Sequence, residues 1–112
     1  MRMSFRDNLT GLHNRAFFEE EAKRLDDEKN RPLSLIMGDL NNLKLINDAL
    51  GHDEGDRRLV MVSQILKKSC RKSDVVVRFG GDEFVILLPK CDEKTVMKII
   101  DDIKTTCENI IS

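Results

Sequence analysis

Tryptophan and tyrosine are both missing from this 112-residue chain, and aromatic residues make up only 4% of it. Little is available to stack bases or sugars on, which argues against a stacking platform for single-stranded nucleic acid. Net charge is nearly absent too: 19 Lys+Arg face 20 Asp+Glu, a formal −1. Nucleic-acid and membrane-surface binders want an excess of Lys and Arg, so neither partner is expected, while a local anion or metal site stays open. No apolar run approaches the ~20 residues of a membrane span, and Met1-Arg2-Met3-Ser4 opens no signal-peptide stretch. Cys70, Cys91 and Cys107 are odd in number and lack short metal-ligand spacing, which fits a reducing cytoplasm. Repeats and low-complexity segments are absent. What is present, 40% apolar and 35% charged residues, is the mixture of one soluble globular domain spanning residues 1–112.

The pattern along the chain predicts a polar lead-in, Asp7 to Arg15, with Asn14 capping a helix over 15–29 that carries Phe17, Phe18, Ala22 and Leu25. Asn30-Arg31-Pro32 ends it. Leu33 to Asp39 reads as a buried strand closed by an acid, and Leu43 to Leu50 as a short helix stopped by Gly51 at a C′ position. Gly55-Asp56 is expected to open a longer helix with Leu59, Val62, Ile65 and Leu66 at helical spacing. Val75 to Phe79 is strand-like, Gly80-Gly81-Asp82 is a turn, and Glu83 to Leu88 is the return strand of a hairpin. Asp92 or Glu93 starts a last amphipathic helix through Val96, Ile99, Ile100, Ile103 and Ile110. The β-α-β-β-α order is most of a ferredoxin-like split βαβ unit, an α+β fold, without its final strand.

Acids stand at strand ends and turns, where a scaffold can aim them. In a split βαβ sheet the first strand lies beside the hairpin, so Asp39, Asp82 and Glu83 could converge. Converging hard oxygens suit Mg²⁺, held by one or two carboxylates plus nucleotide phosphates, and two such ions could clamp a phosphoryl displacement. Equally, such acids can be turn residues facing water. Gly80-Gly81 permits positive φ in a two-residue turn and lets a ligand approach with no Cβ in the way. Asn41, Asn42, Leu43 and Lys44 lead into a helix whose backbone N–H groups favour phosphate, with Lys44 adding a point charge. Asn47 and Asp56 can pair with the donor and acceptor edge of guanine. Asp56 could as well be an N-cap.

Phe79-Gly80-Gly81-Asp82-Glu83-Phe84 resembles the signature of the GGDEF family, the diguanylate cyclases. Asp7 to Arg15 is similar to the family's D-x-L-T-G-L-x-N-R lead-in, Asp39 to Asp48 to its D-x-[DN]-x-[FL]-K-x-I-N-D segment, and Gly51 to Asp56 to its G-H-x-x-G-D. These motifs keep the family's order over nearly the whole chain. The resemblance implies the family's nucleotidyl-cyclase, palm-like fold and condensation of two GTP into cyclic di-GMP with release of pyrophosphate. Asp39, Asp82 and the carbonyl of Leu40 match the ligands of two Mg²⁺ (or Mn²⁺) ions. Glu83 matches the acid that binds metal or activates the 3′-hydroxyl, and Lys44 the charge beside the phosphates. Asn47 and Asp56 match the guanine-reading pair, Asn41 to Lys44 the triphosphate loop, and Gly81 the turn over which nucleotide lies. Each domain would hold one GTP, so catalysis needs an antiparallel homodimer.

Arg71-Lys72-Ser73-Asp74, with five residues between Asp74 and Gly80, is similar to the family's R-x-x-D inhibitory site, where Arg71 stacks on guanine and Asp74 pairs its edge. The bland reading is a charged helix-to-strand loop. Asn41 stands where many members have Asp. The family continues past the last helix here, through a strand and a basic segment that contacts GTP, so the domain is expected to be C-terminally truncated. An upstream sensor domain in a longer parent, itself possible at a membrane, is expected as well. A second function from another class is a GGDEF-like module that senses GTP or cyclic di-GMP without turnover. A third reading is a folding fragment inactive in isolation.

Overall fold

The computed structural model describes residues 4–40 and 43–111. A two-residue strand β1 (His13–Asn14) runs directly into helix α1 (Arg15–Leu25). Strand β2 (Ser34–Asp39), helices α2 (Leu43–Leu50) and α3 (His52–Ser69), the hairpin β3 (Val75–Arg78) and β4 (Glu83–Leu88), and helix α4 (Glu93–Ile111) follow. The strands form one sheet in the order β1-β3-β4-β2. β4 pairs antiparallel with both β2 and β3, while β1 adds parallel to β3. The first long strand therefore does lie beside the return strand of the hairpin. The fold is α+β.

β4 explains why the sheet holds together. Phe84, Ile86 and Leu88 point to one face and join Leu12, Leu59, Val62, Leu66, Val76 and Ile99, beneath α3 and α4. Val85 and Leu87 point to the other and meet Leu25, Val75 and Val77, with Phe17, Phe18 and Ala22 of α1 packed beside them. A strand buried on both faces must be apolar at every position, which is why β4 reads as a continuous hydrophobic run. The strand expected to be buried is not: β2 lies at the edge of the sheet, so one of its faces lacks cover and Leu35 and Met37 stay 46% and 62% exposed.

Further expectations need correcting. Helix α1 ends at Leu25, short of Lys29, and a separate 3-10 turn occupies Glu28–Asn30. The Asp27 carboxylate takes the Asn30 backbone N–H at 3.2 Å and its side-chain amide at 2.8 Å, local bonds that compete with the helical ladder. Helix α3 begins at His52, ahead of Gly55. Gly51, at φ 92°, makes the turn from α2 into α3 without an intervening loop, in a backbone state that costs a Cβ-bearing residue dearly. Strand β1 has no sequence signal, because two residues are too few for a period. It forms because β3 offers an edge, with His13 beside Val77 and Asn14 beside Arg78. Asn14 also caps α1, its side-chain oxygen accepting from the Phe17 N–H at 3.1 Å.

Candidate active site

The end of the β2–β4 pair carries the acids. Asp39, the last residue of β2, lies directly across from Glu83, the first of β4. Opposed residues share a face of the sheet with Cβ atoms about 5 Å apart. One step further, the Leu40 N–H donates to the Asp82 carbonyl at 2.9 Å, which extends the pairing past the strand ends. The ladder thus brings Asp39, Leu40, Asp82 and Glu83 to one corner. Asp39 and Glu83 are exposed, Leu40 and Asp82 half-buried. Among the described residues no three His, Cys, Asp or Glu side chains converge tightly enough to cage a metal ion. The corner offers a few hard oxygens at the surface, a donor set that fits Mg²⁺ completed by a substrate's phosphates better than an all-protein cage.

The turn between β3 and β4 differs from the expected two-residue form. Phe79 and Gly80 both donate to the Glu83 carbonyl, at 2.8 and 3.3 Å, leaving Gly80-Gly81-Asp82 as the loop. Neither glycine of this turn takes positive φ; the described glycines that do are Gly11 and Gly51. Gly80 serves proximity instead. A Cβ there would come within 3.1 Å of a Glu83 carboxylate oxygen, whereas one on Gly81 would meet nothing within 4 Å.

Sequence reasoning missed what holds this turn in place. Arg78 donates through Nη2 to the Gly81 carbonyl at 2.8 Å and through Nη1 to the Asp7 carboxylate at 3.2 Å. Asp7 in turn accepts from the Thr10 backbone N–H and hydroxyl at 2.8 and 2.7 Å. Burial by itself would raise the Asp7 carboxyl, but the Thr10 bonds and the Arg78 cation outweigh it and hold the group below the ordinary carboxylate range. The lead-in motif is therefore a brace for the signature turn. A signal existed in Arg78, a lone cation closing the apolar run Val75-Val76-Val77.

The corner between α2 and α3 holds the other expected residues. Asn41 and Asn42 lie outside the described residues. Leu43 and Lys44 open α2. Gly51 N–H donates to the Asn47 carbonyl at 2.9 Å, closing α2 where Gly51 was expected to stop it. Asp56 sits inside α3 and is exposed, so it does not cap that helix. Asn47 is the informative residue: its side-chain oxygen Oδ1 is buried and has no hydrogen-bond partner among the described residues. A buried acceptor left empty costs roughly 1–3 kcal/mol unless something donates to it. Among the described residues nothing donates to it.

Arg71 and Asp74 are brought together differently. The Asp74 carboxylate accepts from Arg71 Nη2 at 2.8 Å and from the Arg71 backbone N–H at 2.8 Å, and its side chain is fully buried. Arg71 also reaches the Pro89 carbonyl at 2.9 Å. The pair ties the α3–β3 loop to the end of β4, and Asp74 has no free edge to offer in this arrangement.

Residues 4–111 match the family described as diguanylate cyclase, GGDEF domain. The chain belongs to the GGDEF family. This GGDEF domain is 42% identical over 101 residues to the diguanylate cyclase TpbB of Pseudomonas aeruginosa, covering 87% of the chain and 23% of that protein. In the solved structure of the TpbB GGDEF domain, 39% identical, the match covers 92% of this chain and 62% of that one with a TM-score of 0.85. The GGDEF domain of DgcB from Caulobacter crescentus, solved in complex with c-di-GMP, matches at 27% identity and a TM-score of 0.84, over 92% of this chain and 62% of that one. The chain spans 23% to 29% of the length of curated relatives such as TpbB and the Bacillus subtilis protein YhcK. Among the described residues no helix is long and apolar enough to cross a membrane.

Proposed function

We propose that this GGDEF domain is the catalytic module of a diguanylate cyclase, joining two GTP into cyclic di-GMP across a homodimer. The observation that carries the reading is the empty, buried Oδ1 of Asn47, an acceptor suited to a guanine N–H donor, with Asp56 as the companion acceptor on α3. The N-terminus of α2, with Asn41, Asn42, Leu43 and Lys44, is assigned to the triphosphate, where backbone N–H groups and the Lys44 charge favour anions. Gly81 leaves the space over the turn open to nucleotide.

Asp39, Asp82 and the Leu40 carbonyl are assigned to two Mg²⁺ or Mn²⁺ ions. When bound, such ions neutralise charge on the phosphates and polarise the phosphorus under attack. The 3′-hydroxyl oxygen of the GTP on the partner domain attacks the α-phosphorus. The bond to the bridging oxygen breaks, and pyrophosphate leaves. Glu83 receives the hydroxyl proton. Arg78 and Asp7 act on this step only by fixing the backbone of the turn. Most of the rate comes from holding the reactants in line and from charge complementarity. Cyclic di-GMP is assigned a feedback role at Arg71 and Asp74, which would require their mutual pair to open. An upstream sensor domain would set how two such domains meet.

Incubation with GTP and Mg²⁺, followed by chromatography for cyclic di-GMP, tests the reading on the chain and on a C-terminally extended form. The extended form should yield product, and Asp82→Ala should cut the yield by about 100-fold or more, the scale of losing a group that stabilises transition-state charge. GTP binding without product from the extended form would overturn turnover and leave a nucleotide sensor.

A further inference from the structure

The lead-in is held at an edge of the sheet, where it can come away while the other strands stay paired. In the order β1-β3-β4-β2, β1 is the outer strand beside β3, and it is two residues long. Residues 5–14 fold back on themselves. The Asn14 N–H donates to the Phe5 carbonyl at 2.9 Å, the Asp7 N–H donates to the Leu12 carbonyl at 2.7 Å, and Arg6 bridges His13. Three contacts fasten this segment to the body: the buried Leu12, the His13 ring stacked on Phe17 at 3.8 Å, and the Asp7–Arg78 pair. Segments at an edge with so few ladder bonds open locally, at less cost than global unfolding.

His13 is the weak fastening. Its Nδ1 is buried and has no hydrogen-bond partner among the described residues. A neutral imidazole tolerates this, because its unprotonated nitrogen is only an acceptor, whereas a protonated ring puts a charged N–H there. A charged donor buried without an acceptor is costly. The surroundings add to that cost. Arg6 faces the ring from the lead-in and Lys67 from α3, with Glu21 of α1 opposing them, while β3 contributes the uncharged Val76 and Val77. Lys68 and Lys72 line the same cleft, together with Arg71 and Asp74, whose charges offset each other. Burial pushes the imidazole below its ordinary value of 6.5, and Arg6 and Lys67 push the same way against the pull of Glu21 and the Phe5 carbonyl.

We infer that His13 is a proton switch: a proton gained there releases β1 and the lead-in and, through the Asp7–Arg78 pair, loosens the signature turn. The path is short. Asn14, next to His13, lies across from Arg78, and Arg78 holds both the Asp7 carboxylate and the Gly81 carbonyl. The contribution of His13 to docking is present above 6.5 and is lost as pH falls through the lower, folded value. Asp7 is held below 3.8, so the brace itself stays ionised in that window. The chain has one other histidine, His52, exposed at the start of α3. The switch involves no nucleotide and does not depend on the cyclase reading.

The test is amide hydrogen exchange of the chain by NMR at about pH 7.5 and about pH 5.5, which bracket an ordinary histidine, corrected for the intrinsic effect of pH on exchange. The Asp7, Gly11 and Asn14 amides should lose about 10-fold of their protection at the lower pH, the scale of one buried donor left without an acceptor. The Phe79 and Gly80 amides of the signature turn should lose protection with the same midpoint. His13→Gln should remove the pH dependence from both segments, and His52→Gln should leave it intact. Should His13→Gln fail to fold, Lys67→Glu reads the same switch without altering the ring. A carboxylate there favours the imidazolium, so the His13 ring signals should titrate at higher pH and the loss of protection should shrink. Equal protection at both pH values, or a loss that persists in His13→Gln, would overturn the switch. A loss confined to the lead-in, with Phe79 and Gly80 unmoved, would overturn its link to the turn.

Discussion

The Arg71–Asp74 loop and the Asn47 corner both carry residues proposed to recognise nucleotide, yet the fold treats them in opposite ways. The Asp74 side chain is fully buried, and the donors to it come from Arg71. Asn47 is half-buried, and among the described residues nothing donates to its side-chain oxygen. One polar group has been satisfied from within the chain and so contributes stability. The other is left short of a partner, which weakens the fold slightly and favours whatever ligand brings the missing hydrogen. A candidate binding group is thus marked less by its residue type than by what the structure withholds from it.

The comparison is broken most severely at Asp74. Asp74→Ala strands a partly exposed Arg71 and unties the loop from Pro89, at a cost of about 2–3 kcal/mol, below the range for fully buried pairs. Thermal denaturation should show a drop of roughly 10 °C for a domain of this size. A drop under about 3 °C would mean that the pair is not structural.

Asn47→Leu probes the other side. GTP affinity should fall by about 10-fold, the worth of one good hydrogen bond to a buried group, while the melting temperature holds or rises because an empty acceptor has gone. Calorimetric titration beside the melting curve reads both. A marked loss of stability with unchanged affinity would reverse the assignment.

The Asp7–Arg78 brace gives the smallest effect and refines the contrast with a second satisfied carboxylate. The Asp7 pKa is lower folded than unfolded, so its contribution is present above the unfolded value near 3.8 and is lost as pH falls through the folded value. Asp7→Asn should cost about 1 kcal/mol at neutral pH and lose part of the dependence of stability on pH below 4. Urea unfolding at pH 7 and pH 3 measures the difference between the two proteins. An identical gap at both pH values would remove Asp7 from the acid response.

Much of this molecule was legible before any coordinates. β4 could be found because it is apolar at every position, and α3 because Leu59, Val62 and Leu66 keep a helical period. Asn14 and Gly51 were readable because capping and left-handed backbone each select few residue types. Other features had no such signature. The early end of α1 depends on whether Asp27 bonds its own neighbours. The start of α3 depends on a single backbone angle at Gly51. Strand β1 depends on an edge provided by residues sixty positions away, roughly the separation of His13 from Val77.

The candidate site divides along the same line. The sequence by itself determined which residues are candidates for the chemistry, because oxygen donors at strand ends and an intact signature are local patterns. It also determined the α+β class, because periodicity and element order are written along the chain. Only the tertiary structure decided how those residues are used. It placed Asp39 across from Glu83, closed Asp74 on Arg71, left the Asn47 oxygen without a donor among the described residues, and tied Asp7 to the signature turn. Each of these depends on which groups from distant segments meet, and hydrogen bonds and ion pairs act over a few ångströms of space whatever their separation along the chain.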